Sequence, residues 1–193
     1  MINIKQWLSA NQLLITALVA VMALTRLHHF GDALSLPDAS LAIFFLAGMG
    51  ISSLWFFAFL LLEAGVIDYV AITQFNVSDF CISAAYVFLI PTYAAMWFAG
   101  CYCTRFKTLN ASELLKTVGL SALATSVAFA ISNGSFYLLS GRYTDVSWTQ
   151  YASGIIQYYH VYASAALIYA VMGLAIVKIA RSMPALSSSH KEI

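Results

Sequence analysis

The stretch 64-AGVIDYVAITQF-75, which follows Glu63, decides how many times this chain crosses a membrane. It is apolar but short, and Asp68 stands in its middle, so hydropathy alone leaves it undecided. Around it lie five clear apolar runs of spanning length, at about 8–25, 40–62, 82–103, 114–139 and 153–180. Charge settles the count. Lys5 puts the N-terminus in the cytoplasm by the positive-inside bias, and the same bias puts Arg105, Lys107 and Lys116 there, with Lys178, Arg181 and Lys191 at the far end. An even number of crossings must therefore precede residue 105. Three clear runs are odd, so the segment 64–75 is expected to cross as a short third helix. That assignment places seven of the nine Lys and Arg inside and leaves only Arg26 and Arg142 outside. Five spans would scatter them.

The expected fold is an all-α integral membrane protein of six spans, one domain over 1–193, with both termini cytoplasmic. Its composition agrees: 62% of the 193 residues are hydrophobic and 9% charged, against about 25% charged residues in soluble domains. The formal net charge is +1 with no basic run, which argues against nucleic acid as a partner, while the apolar runs point to the lipid bilayer, expected to be the inner (cytoplasmic) membrane. No Gly-x-x-x-x-Gly-Lys phosphate loop, Gly-x-Ser-x-Gly elbow or His-Glu-x-x-His motif occurs, so no ATP site is expected in this chain. Lys5 with the apolar residues 13–24 superficially looks like a signal peptide, but Val21-Met22-Ala23 is a weak cleavage site and the segment is needed as the first crossing. Residues 184–193 read as a mobile cytoplasmic tail.

In this topology the unusual residues gather on the outside. His28, His29, Asp32 and Asp38 fall in the loop 26–39; Asp79 and Cys81 fall at the outer start of the fourth span; Asn133, Arg142 and Asp145 fall around the outer end of the fifth. His160 enters the sixth span near the same surface, among a belt of Tyr and Trp that bilayer interfaces commonly carry. A carboxylate inside a span costs roughly 2.5–3.5 kcal/mol on insertion scales, so Asp68 either pairs with another helix or faces a ligand cavity. Asn133-Gly134 serves helix packing or close ligand approach. The three cysteines do not make a disulfide framework. Cys101 and Cys103 at the inner end read as structural. Cys81, at an expected helix start next to water, gains thiolate character from the helix dipole and is a soft metal ligand. Adjacent His28 and His29 cannot face the same way on a helix, so one of them is a contact at a pocket rim or both are simply solvated.

Several of these segments together resemble one family: Leu36-Pro37-Asp38-Ala39-Ser40 after His28-His29-Phe30, Ile67-Asp68-Tyr69, Val77-Ser78-Asp79-Phe80-Cys81 with Tyr86 following, and Asn133-Gly134 with Ser140-Gly141-Arg142-Tyr143. The pattern, over about residues 27–143, resembles the BtuM family of small, often solitary, cobalamin-specific S-components of energy-coupling-factor (ECF) transporters. The resemblance implies an S-component-like six-helix bundle that binds cobalamin on its outer, periplasmic side for uptake. By the resemblance, Cys81 is the axial ligand to the corrin cobalt and His29, Asp68, Tyr86 and Arg142 line the pocket; His28 and Asn133 are further candidate binding residues. A sulfur donor on cobalt weakens the bond opposite it, so Cys81 is also expected to labilise an upper cyanide and so to decyanate the vitamin. The Ala-x-x-x-Ala patch by which S-components dock a coupling module is replaced by Thr16-x-x-x-Ala20 and by Ala17, Ala20 and Ala23. An ECF coupling partner and solitary transport both stay open. A second class of function also fits the residues alone: His29 and His160 as axial ligands of a haem in a small membrane electron carrier.

Overall fold

The computed structural model describes residues 4–27, 36–106, 110–144 and 146–182, with side chains from residue 12 to residue 179. His28, His29, Asp32, Asp145 and the tail 184–193 lie outside these residues. Among the described residues the chain is all-helical, with six α-helices: α1 Ile4–Arg26, α2 Ser40–Gly50, α3 Leu54–Gln74, α4 Leu89–Cys103, α5 Ala111–Leu139 and α6 Trp148–Ser182, and a 3-10 turn, Ala84–Phe88, leading into α4. Four segments are long and apolar enough to cross a membrane: Leu54–Phe75, Ala84–Cys103, Ala111–Leu139 and Trp148–Ile179. Their outward faces carry Trp55, Leu62, Val66, Leu115, Leu123, Ile156 and Ile176, all exposed, as lipid-facing surfaces require.

The apolar run 40–62 is not one helix. It breaks at Ile51–Ser53, where Ser52 takes a left-handed φ of 51° and the Ile51 and Ser52 amides both donate to the Ala47 carbonyl, closing the helix end. The short helix is therefore the second, and the third is a full-length segment that carries Glu63 in its interior. The expectation of a short third helix over 64–75 misplaced this boundary. Its physical reason is that a buried helix and a lipid-facing helix have the same hydropathy. In α2, Ser40, Leu41, Ala42, Ile43, Phe44, Phe45, Ala47 and Gly48 are all buried by neighbouring helices, so its apolarity serves the protein core. Ser52-Ser53 in the middle of the run carries the break, whereas Glu63 merely resembles one.

Helix α2 runs through the centre, packed against α4, α6, α1 and α3. Two glycines let α2 and α4 touch backbone to backbone: a Cβ at Gly48 would run into the Trp97 carbonyl oxygen, and one at Gly100 into that of Phe45. Phe44 stacks on Tyr93 at 4.3 Å just above this contact. Gly100→Ala is expected to push the two helices apart at a cost of about 1–3 kcal/mol, lowering the unfolding temperature of the detergent-solubilised protein. Gly65→Ala, where nothing lies within 4 Å of the added methyl, should leave that temperature unchanged.

Candidate functional site

Among the described residues, a cluster of buried and half-buried charge lies at the end of the bundle where α1 finishes and α2 begins. Arg26, the last residue of α1, is 7% exposed. Its Nε donates to Asp68 Oδ1 and its Nη2 to Asp68 Oδ2, both at 2.7 Å, a two-point pairing that suits a planar guanidinium. Its Nη1 turns the other way and donates to the Tyr93 hydroxyl at 2.7 Å and Ser40 Oγ at 3.0 Å, with Asp38 Oδ2 at 3.3 Å. Asp38 in turn accepts from the Ser40 amide at 2.9 Å and hydroxyl at 2.6 Å, which places a carboxylate on the positive N-terminal end of α2. The Ala39 amide donates to Thr25 Oγ1 at 3.2 Å, tying that helix start to α1. The third partner of Asp68 is Tyr86, whose hydroxyl donates to Oδ2 at 2.7 Å.

A carboxylate has about four lone-pair sites, and Asp68 uses three of them here. Of its two readings, the structure supplies the interhelical pair, with α1 as partner and Tyr86 held alongside. Arg26 is the hub that sequence reading missed: a lone arginine at a span end reads as an interfacial anchor. A signal was present, because an acid within a span asks for a cation and only Arg26 and Arg142 lay on that side.

Cys81 belongs to the segment after α3, which turns at Asn76 with φ 54° and reaches the 3-10 turn at Ala84. The thiol thus precedes a 3-10 turn by three residues and lies well before α4, so the expected helix-start dipole does not act on it. Half-buried, it feels the charges of Asp68, Arg142 and Arg26: burial pushes the thiol above its usual range, Asp68 adds to the rise, and Arg142 and then Arg26 oppose it. The expectation of a lowered thiol pKa is corrected accordingly, because desolvation outweighs the two cations.

Arg142 is positioned from the α5–α6 loop, its guanidinium 4.8 Å from the Phe80 ring and its Nη2 donating to the Phe80 carbonyl at 3.4 Å. Phe80 also meets Phe136 of α5 at 5.5 Å. Phe136 leads into a crevice between α5 and α6, about 250 Å³ with its open mouth, lined by Asn133, Tyr137, Tyr143, Gln150, Tyr151 and others. Asn133 faces this crevice. Tyr137 fastens the loop by accepting from the Ser147 amide at 2.8 Å and donating to the Ser147 carbonyl at 2.9 Å. His160 is exposed on α6. Cys101 and Cys103 lie at the opposite end of α4. Among the described residues no three His, Cys, Asp or Glu side chains come together as a metal cage.

Of the expected site residues, the structure therefore brings Asp68 and Tyr86 into direct contact and sets Cys81 within reach of the charges of Asp68 and Arg142. Asn133 sits in the adjoining crevice. No protein-family model matches the chain, and no curated protein matches it.

Proposed function

We propose that this protein binds a corrinoid, cobalamin, at the Cys81 end of the bundle and carries it across the cytoplasmic membrane. In this reading the chain makes six crossings with both termini in the cytoplasm, and the Cys81 end faces out. The observation that supports it is the convergence of one half-buried sulfur with Asp68, Tyr86, Arg26 and Arg142, drawn from separate segments of an otherwise apolar bundle. A cobalt centre held by a macrocycle needs only one axial donor from the protein, and a soft sulfur supplies it. The polar rim of the corrin needs hydrogen-bonding groups and aromatic walls around that donor, and Tyr86, Arg142, Asn133 and the α5–α6 tyrosines supply these. The small residues Thr16, Ala17 and Ala20 are exposed on α1, leaving that face for an energising ECF module where one is used.

The step at the metal follows from the thiol. The Cys81 S–H gives up its proton as the sulfur–cobalt bond forms, and the corrin's own base leaves its axial position. Sulfur donation then weakens the bond opposite, so an upper cyanide departs and takes up a proton as hydrogen cyanide, with no change in the oxidation state of cobalt. Since burial keeps the thiol protonated at neutral pH, ligation has to release that proton, and its rate should rise with pH to beyond the usual thiol range. The test is to add cyanocobalamin to the purified protein and follow the visible spectrum from pH 6 to pH 10. Corrinoid bands that stay with the protein and shift faster at higher pH support the reading. Protein purified with a Soret band, and no uptake of corrinoid, would favour the haem carrier instead.

A further inference from the structure

Glu63 is a carboxyl group that neither the Arg26 cluster nor the proposed ligand site uses. It sits nine residues into α3 and eleven from its end, about 14 and 17 Å along the axis, which is the centre of a hydrocarbon layer about 30 Å thick. Its Oε2 is buried and has no hydrogen-bond partner among the described residues. On one side of it Leu60, Ala64 and Ile67 are buried in the core; on the other Leu62 and Val66 face lipid.

The helices packed against α3 are α1 and α2. The titratable groups of α1 are Arg26, which spends its Nε and Nη2 on Asp68, and Lys5, about 30 Å further along that helix. Helix α2 has no ionisable side chain, and Asp38 just before it lies against Arg26 at 3.3 Å. On α3 itself, Asp68 is about 7.5 Å nearer the Arg26 end, and Tyr69 is exposed. Among the described residues a charged carboxylate at Glu63 would therefore meet no cation, and the hydrocarbon at that depth offers it no water; such a group takes up a proton instead.

We propose that Glu63 is a proton-binding site at the midplane of the membrane, holding its proton at neutral pH in the folded protein. This makes it a specific target for modification by carbodiimides that partition into lipid. Such a reagent adds to a protonated carboxyl and rearranges to a stable N-acylurea, with no other reactant consumed. Asp68, with both carboxyl oxygens engaged by Arg26 and Oδ2 also by Tyr86, is not open to the reagent.

The experiment treats the full-length protein in liposomes with dicyclohexylcarbodiimide over a pH series and maps the adduct by peptide mass. Labelling at Glu63 at neutral pH, lost at strongly alkaline pH and lost in Glu63→Gln, with Asp68 unlabelled, is the expected result. Absence of label at Glu63 at neutral pH overturns the proposal, as does label that is equally strong with a water-soluble carbodiimide. Infrared spectra of the wild type, independent of any variant, should contain the carbonyl band of a protonated acid that disappears with the label. A pure carboxylate spectrum would overturn the proposal too. None of these outcomes depends on whether a corrinoid binds.

Discussion

Arg26→Leu is expected to leave a protein that barely survives extraction from the membrane. The substitution removes the cation shared by Asp68, Asp38, Ser40 and Tyr93 and strands the Asp68 carboxylate, 16% exposed, with Tyr86 as its remaining side-chain donor among those described. Breaking a buried pair by removing one partner costs about 3–5 kcal/mol, whereas exchanging both partners for apolar groups of similar volume is often neutral. The double variant Arg26→Leu, Asp68→Leu should therefore recover much of the lost thermal stability in detergent. That recovery separates an electrostatic role from simple packing, because a packing defect at Arg26 would be worsened by a second substitution. Equal stability of Arg26→Leu and the wild type would show that the pair does not hold α1 to α3.

How much of this was legible in the sequence follows from what each residue signals. Asp68 stood out because a carboxylate within an apolar run has few bland explanations, and the structure gives it three hydrogen bonds. Arg26 did not, since its partners are 12 to 67 residues away in the chain and nothing local marks an arginine that turns inward. In the sequence the apolar run ends at residue 62 and Glu63 follows it, yet Glu63 lies inside α3. The helix break lies instead at Ser52, within a run whose hydropathy does not change there. Residues 81–88 show the same limit. An apolar run beginning at Ile82 reads as a helix start, but hydropathy does not distinguish a turn and a 3-10 segment from α-helix, and the dipole argument for Cys81 failed with that distinction.

Cys81→Ala is expected to abolish sulfur ligation of a bound corrinoid while leaving the bundle intact. The thiol is half-buried in the segment between α3 and the 3-10 turn, outside the α2–α4 packing, so its loss leaves at most a small gap. Its chemistry has no substitute nearby, because Cys101 and Cys103 lie at the opposite end of α4. Replacing the one thiol at that end among the described residues should slow or stop the release of cyanide and weaken binding, by about tenfold for each 1.4 kcal/mol that the cobalt–sulfur bond contributes.

The decisive measurement is the visible spectrum of cyanocobalamin bound to the wild type beside that bound to Cys81→Ala. A sulfur-ligated corrinoid spectrum in the wild type, with hydrogen cyanide released, and an unshifted cyanocobalamin spectrum with weakened binding in the variant is the predicted result. Identical spectra and equal affinities in the two proteins, or no binding by either, would contradict it.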